Sequence, residues 1–350
     1  MKKNVLVLVC GKVVGGHEIQ LLTILRDLCV IRTDVLVLCQ TAVTHAYFAS
    51  LPCEVKLAEF GVVGKVWQQW REARVIARQL RGFFSEAKII FVSGGTIEAC
   101  IGAARAAKIA QPATKTLAYI PMYIDRSLAH GVIGTVYDLM VDRMGRIVDA
   151  YLTINRIQAL MLRKHYGRPV TVVENFIQPV RLPTTSKGRR LVFLGRFDDG
   201  QKGLVELVDM LDQKDNPYRE LVLIGDGPDK DAIVARSAKA SFVNVQFKSW
   251  MSTGEVDEFL GSNDCLIMNS RWEGEPLVVR EFTARRLPCV VRDIAGMRGV
   301  TKKNLRFVDS PSLISILTML QTAESNDGYV RANRVKQSKR LAILDSCFSV

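Results

Sequence analysis

Short runs of branched apolar residues recur along the chain, and between them apolar positions return every three or four residues. Val5–Val9 and Val35–Cys39 are unbroken apolar pieces of the length that predicts buried strands. The same signal marks Lys88–Val92, Thr116–Ile120, Tyr151–Ile154 and Thr171–Val173 in the first half. In the second half it marks Leu191–Leu194, Leu221–Ile224, Val245–Phe247, Cys265–Met268 and Cys289–Val291. Strands alternating with helix-period stretches predict βα units around parallel sheets, so the class is α/β.

The chain has 350 residues, too many for one ordinary core and suited to two. The stretch from Pro179 to Gly188 holds two prolines, small polar residues and no apolar period. It predicts a linker over 179–189 between a domain at 1–178 and a second at 190–330. Residues 331–350 predict a final helix with no docking site assignable from sequence. Two Rossmann-like, doubly wound domains would face each other across a cleft, with ligands at the carboxyl ends of their strands.

Composition narrows the class further. With 48% apolar and 24% charged residues, the chain cannot be mainly disordered. No apolar run approaches the ~18–20 residues of a membrane-spanning helix. Met1-Lys2-Lys3 before an apolar run imitates a signal peptide, but bulky Val9 precedes Cys10 and no small-residue cleavage site follows, so the run reads as a first strand. The eight cysteines contain no Cys-x-x-Cys pair and mostly sit in apolar segments, which predicts reduced, buried thiols in a cytoplasmic protein. Four histidines at 17, 45, 130 and 165 lack metal-ligand spacing, so neither a protein-built metal site nor a cofactor is expected.

The net charge of +13 is uneven. Residues 1–180 hold 22 basic and 13 acidic residues (+9), and 181–350 hold 26 and 22 (+4). The first half therefore expects an anionic partner, and a nucleic acid, an acidic membrane surface or a phosphorylated substrate would each supply one. Nucleic acid is disfavoured, because the sequence has no single-strand platform of interleaved aromatic and basic residues and no recognition-helix or zinc signature. A nicotinamide dehydrogenase is disfavoured too, since Gly11-Lys-Val-Val-Gly15-Gly16 does not give Gly-x-Gly-x-x-Gly.

Three segments of the second half carry chemistry. Leu194-Gly195-Arg196-Phe197-Asp198-Asp199-Gly200-Gln201-Lys202-Gly203 runs from a strand through a Gly-rich loop into a helix, with two cations beside free amides. That arrangement suits a diphosphate, although a solvated loop would read the same way. Ile224-Gly225-Asp226-Gly227-Pro228 again follows a strand and by itself reads as a βα turn. Ser270-Arg271-Trp272-Glu273-Gly274-Glu275-Pro276-Leu277-Val278-Val279-Arg280-Glu281 places Glu273 in a loop and Glu281 about a turn into the next helix. Both carboxylates could then accept hydrogen bonds from sugar or ribose hydroxyls.

Taken in order, Gly-Arg…Lys-Gly, Gly-Asp-Gly-Pro and Ser-x-x-Glu-Gly-x-Pro-x-x-x-x-Glu resemble the family-four retaining nucleotide-sugar glycosyltransferases of the two-Rossmann-domain GT-B fold, with bacterial polysaccharide and lipopolysaccharide enzymes as its type. The resemblance covers the second half. In the first half it touches the opening strand with Gly15-Gly16-His17-Glu18, and the stretch from Tyr166-Gly167 to Glu174-Asn175. It implies a sugar moved from a nucleotide-diphosphate donor to a hydroxyl of a glycan or lipid-linked acceptor, without a metal. Arg196 and Lys202 would hold the diphosphate and Glu273 would lie by the donor sugar. Glu281 would bind the ribose. Gly195 and the backbone at Glu275, Pro276 and Leu277 would bracket sugar and phosphate. Trp250 would border the base, and Gly15 and Gly16 would let the first loop approach the donor.

Three positions depart from the family pattern. Glu275 stands where an aromatic or small residue is usual, and a carboxylate there is unfavourable beside a diphosphate unless it meets sugar hydroxyls or an acceptor. The loop Tyr119-Ile120-Pro121-Met122-Tyr123 lacks a histidine that relatives place near the donor sugar, with His17 the nearest substitute in sequence. Asn155 replaces a small hydroxyl residue. A catalytically silent relative that binds a nucleotide sugar therefore stays open.

On the acceptor side, residues 62–84 carry five basic residues against one acidic. On a helical wheel Val66, Trp70, Ala73, Ala77 and Leu80 share one face. Trp67, Arg71, Arg74, Arg78 and Arg81 form the stripe beside it. Such a stripe suits anionic lipid headgroups as well as water, which makes a peripheral position on the inner membrane face the expectation for this half.

Overall fold

The computed structural model describes residues 3–58, 60, 65–123, 126–177, 179–185, 189–216, 218–298, 305–308 and 337–349. The chain divides into two compact units, Met1–Phe176 with Val335–Val350, and Ile177–Arg334.

In the first unit, β1 (Val5–Val9), β2 (Val35–Cys39), β3 (Glu54–Leu57), β4 (Ile89–Ser93), β5 (Lys115–Tyr119), β6 (Ala150–Thr153) and β7 (Val170–Val172) form one sheet. Its order is β3-β2-β1-β4-β5-β6-β7, and every pairing is parallel. The apolar runs are continuous because both faces of the sheet are covered. Val5, Val7, Val9, Ile89 and Phe91 point into one core, which is closed by helices α1 (Gly16–Ile31) and α2 (Ala42–Phe48). Leu6, Leu8, Ile90 and Val92 point into the other. That second core is closed by α3 (Val66–Gln79), α4 (Arg81–Phe84), α5 (Ile97–Ala110), α6 (Ser127–Gly145) and α7 (Arg156–Tyr166). Small side chains on α5 let α3 approach closely: Ala103, Ala104, Ala106 and Ala107 are fully buried, and a Cβ on Gly102 would lie 3.1 Å from that of Gln69.

In the second unit, β8 (Leu191–Leu194), β9 (Glu220–Ile224), β10 (Asn244–Lys248), β11 (Cys265–Met268), β12 (Cys289–Arg292) and β13 (Leu305–Val308) form a parallel sheet in the order β10-β9-β8-β11-β12-β13. Its helices are α8 (Asp199–Lys202), α9 (Leu204–Leu211), α10 (Lys230–Ser237), α11 (Thr253–Phe259), α12 (Leu277–Ala284) and α13 (Ala295–Arg298). The last helix, α14 (Gln337–Phe348), returns to the first unit and packs on α1. Leu344 and Phe348 are buried, the Phe348 ring meets Phe91 edge-on at 5.2 Å, and Arg340 Nε pairs with Asp27 at 2.7 Å.

The α/β reading holds in both units, with two strands added. The sequence reading omitted β3 and β13, and both are four-residue strands at a sheet edge. β3 reads Glu-Val-Lys-Leu with three of its four side chains exposed, so it lacks the apolar run on which the other assignments rested. In each sheet the chain leaves the centre in opposite directions, between β1 and β4 in the first and between β8 and β11 in the second. Carboxyl ends of strands at such switch points are where open α/β sheets bind ligands. No described helix is long and apolar enough to cross a membrane.

Candidate functional site

At the switch point of the second unit, three loops interlock. Phe197 is fully buried and anchors the loop after β8, with its amide donating to Asp226 O at 2.9 Å and its carbonyl accepting from Asp229 N at 3.1 Å. Gly195 N donates to Ile224 O at 3.0 Å. Asp198 caps α8 by accepting from Gln201 N at 3.1 Å, and Asp229 Oδ2 accepts from Asp199 N at 2.7 Å. The β11 loop is stapled to the same place. Arg271 Nη1 donates to Asp199 O at 2.6 Å and Gly200 O at 3.0 Å, and Asn269 Nδ2 donates to Gly203 O at 3.0 Å.

This framework brings Lys202 Nζ onto Glu273 Oε1, with the two side chains 12% and 9% exposed. A desolvated ammonium and carboxylate hold each other by a charge-assisted hydrogen bond. Arg196 lies on the same loop but is half exposed, and its Nη2 donates to Asp198 Oδ2 at 2.8 Å. Pro276 is the N-cap of α12, so the amides of Leu277 and Val278 precede the first bond of the helix, which Val279 N makes to Pro276 O at 3.2 Å. Gly195 sits at the end of β8, and Trp250 is exposed in the loop after the edge strand β10, two strands from β8.

The unexpected carboxylate has a counter-ion. Glu275 Oε1 pairs with Arg280 Nη1 at 3.3 Å, with the carboxylate side chain 6% exposed. Arg280, one turn on in α12, removes the electrostatic objection to an acid at 275. The sequence reading quoted Arg280 and Arg271 within the motif but gave neither a role. A cation five residues after an anomalous acid, in the first turn of the helix that follows it, is the signal that could have found the first.

Glu281 is half-buried on α12, and burial pushes its carboxyl above the usual range, with Arg285 opposing and Asp257 adding to the shift. Asp257 is held by the fully buried Arg285, whose Nε donates to Asp257 Oδ1 at 2.8 Å. If the ionised carboxylate is the form that grips a ribose, protonation removes grip as pH falls. The acid limb of a donor KM profile is then expected at higher pH than for an exposed glutamate, and Glu281→Gln should flatten that limb. An unchanged limb in the variant would assign it elsewhere.

At the switch point of the first unit, the Gly15-Gly16 turn opens α1 and Glu18 organises it. Its Oε2 accepts from Gly15 N at 3.0 Å and its Oε1 from His17 Nδ1 at 2.8 Å. With the proton on Nδ1, His17 Nε2 accepts from Ser93 Oγ, 2.8 Å away at the end of β4. The imidazole also stacks on Tyr119 at 5.5 Å. Both ring nitrogens of His17 are thus engaged within the unit, binding the turn after β1 to the end of β4. Glu18 and Ser93 were not singled out from sequence, since Ser93 is 76 residues from the histidine it meets.

The α3 wheel is reproduced: Val66, Ala73, Ala77 and Leu80 are buried, and Trp70 packs partly against the core. Trp67, Arg71, Arg74, Arg78 and Arg81 are exposed. Arg105 of α5 covers the Trp70 ring at 4.2 Å.

Residues 176–340 match the family described as glycosyl transferases group 1. Over 132 residues, 36% of this chain and 35% of its own length, an uncharacterized 41.2 kDa protein in the cps region of Klebsiella pneumoniae is 27% identical. The lipopolysaccharide 1,6-galactosyltransferase of Salmonella typhimurium is 28% identical over 157 residues, 42% of this chain and 44% of its own length. The chain therefore aligns with less than half the length of these curated relatives. Among solved structures, the apo form of the lipopolysaccharide outer core galactosyltransferase WaaB superposes with a TM-score of 0.64 at 16% identity, covering 99% of this chain and 96% of that one. Likeness at that identity is likeness of fold.

Proposed function

We propose, from the premise that through residues 176–340 this chain belongs to the group 1 glycosyl transferases, that it moves a hexose from a nucleotide-diphosphate sugar to a hydroxyl of a glycan or lipid-linked acceptor in cell-surface polysaccharide assembly. The observation that carries this reading is the Lys202–Glu273 pair, shielded from water where the loops after β8 and β11 meet.

The chemistry follows from charge. Breaking the bond between the anomeric carbon and the diphosphate leaves negative charge on the phosphate oxygens. Lys202 and Arg196 stand on one loop, and each can exchange its carboxylate partner for a phosphate oxygen. Preorganised cations at the place where charge develops lower the barrier directly. Glu273, once released by Lys202, is free to accept from a hydroxyl of the donor sugar. The first two amides of α12, at Leu277 and Val278, face the same task from the backbone. Glu281 takes the ribose hydroxyls, Trp250 borders the base, and Gly195 with the backbone at Glu275 and Pro276 brackets the diphosphate and sugar. Reaction with retention of configuration, and without a metal, belongs to this reading. In the first unit Gly15 and Gly16 admit the donor without a Cβ in the way. His17 and the stripe of Trp67, Arg71, Arg74 and Arg78 on α3, continued by Arg81 at the start of α4, form the acceptor side, which operates at the cytoplasmic face of an anionic membrane. The lipopolysaccharide for which the Salmonella galactosyltransferase is named supports an envelope acceptor.

Thermal unfolding in the presence of UDP-, GDP- and other nucleotide sugars tests the donor. One of them should raise the midpoint as RT ln(1 + [L]/Kd) requires, and release of free nucleoside diphosphate with an acceptor should follow. A stabilising nucleotide sugar that never yields product would make the chain a silent binder, and no stabilisation by any would overturn the reading.

A further inference from the structure

The solvent side of α6 is apolar where a surface helix ordinarily carries charge. Val132, Ile133, Val136 and Leu139 are 81%, 80%, 62% and 66% exposed. Positions 132, 136, 139 and 143 recur at helical spacing, so the row ends on the exposed Arg143. The opposite side of α6 is committed to the core through Val141, the same core that α3 closes. Both helices thus cover one face of the first sheet, and α5 contacts each of them. The α3 side is cationic and carries exposed Trp67 and Val75, 44% and 50% exposed, among four exposed arginines. Glu72 is the one acid in that helix.

We infer that the exposed face of α6 enters the boundary between headgroups and acyl chains of an anionic bilayer, while the arginines of α3 bind its phosphates. The inference rests on the reading that the acceptor is presented at a membrane, and it adds the element that enters the lipid. Charge decides for lipid over a protein partner. Four aliphatic side chains with no hydrogen-bonding group, flanked by a helix of near-uniform positive charge, match a surface that is apolar within and anionic outside. A protein partner of this face would instead be met with aromatic anchors at its centre, whereas Tyr137 of α6 is packed partly against the core with Arg126 over its ring. The two helices would divide the work: the α3 contribution is electrostatic and screened by salt, and the α6 contribution is hydrophobic and survives it.

Co-sedimentation of the full chain with vesicles of phosphatidylcholine alone, and with part of it replaced by phosphatidylglycerol, separates these contributions at low and high salt. The parent chain should bind the phosphatidylglycerol vesicles and retain part of that binding in high salt. Ile133→Asp with Val136→Asp, at positions already facing water, should leave the unfolding midpoint in place, reduce vesicle binding about tenfold and abolish the salt-resistant part. Arg74→Ala with Arg78→Ala should remove the preference for phosphatidylglycerol and leave the salt-resistant part. Loss of binding in the arginine variant with none in the α6 variant would keep the membrane reading and overturn the role of α6. No binding by the parent would overturn both. A parent dimer that the α6 substitutions turn into a monomer would make this face an interface between copies and overturn the inference.

Discussion

Replacing Lys202 by alanine should lower turnover by about 10²–10³, the loss expected when one preorganised donor to a developing anion is removed. The substitution deletes the ammonium that Glu273 holds in a site 12% and 9% exposed, so it also leaves that carboxylate without its cation. The two consequences separate in a cycle. If Lys202 serves mainly to neutralise Glu273, the double variant Lys202→Ala with Glu273→Gln should recover most of the lost turnover. If Lys202 serves the leaving diphosphate, the double variant stays as slow as the single one or slower. Arg196→Ala should fall in the same direction by a smaller factor, because its guanidinium is half exposed and its field is screened by water. Turnover undiminished in Lys202→Ala would remove the diphosphate from this loop.

A large loss of stability is expected at Gly225. Its φ of +144° lies where side chains are strained, and a Cβ there would sit 2.0 Å from Gly195 O and 3.0 Å from Gly195 C. Neither atom can yield, because Gly195 N is bonded to Ile224 O at 3.0 Å and Gly225 N to Lys248 O at 2.9 Å. Gly225→Ala must therefore separate the loops after β8 and β9 or twist the end of β9, at a cost of roughly 3–5 kcal/mol from strain and overpacking together. The unfolding midpoint should drop by about 6–20 °C, at about 2–4 °C per kcal/mol for a domain of this size. Nucleotide binding should fall with it, since the displaced loop is the one that carries Arg196 and Lys202. Gly200→Ala is the contrast: its nearest neighbour is Asp198 Oδ1 at 3.5 Å, an ordinary contact, so stability should hardly change.

The central strands were readable because strands buried on both faces leave long apolar runs, and those of β1, β2, β8 and β11 were placed to the residue. Of the four edge strands, β7 and β10 were read and β3 and β13 were not, since β3 buries almost none of its Glu-Val-Lys-Leu and competes poorly with a loop reading. Helix α14 was legible as a helix but not as a part of the first unit. Its anchoring joins Arg340 to Asp27 and Phe348 to Phe91 across the full length of the chain, and no local pattern encodes such pairs. In the site, the motif order exposed Arg196, Lys202, Glu273 and Glu281. What it could not show is which charges neutralise which. Lys202 with Glu273 and Glu275 with Arg280 are facts of packing. The hydrogen bond that ties His17 to Ser93 likewise depends on β1 and β4 lying side by side, which the topology alone creates.

Calorimetric titration of the full chain with UDP and GDP, repeated on Lys202→Ala, is the most direct trial of a diphosphate held by the loop after β8. One nucleotide should bind the parent, and its affinity should fall at least about tenfold in the variant, the worth of one charge-assisted hydrogen bond shielded from water. Equal affinity in both chains, or no heat with either nucleotide, would contradict it.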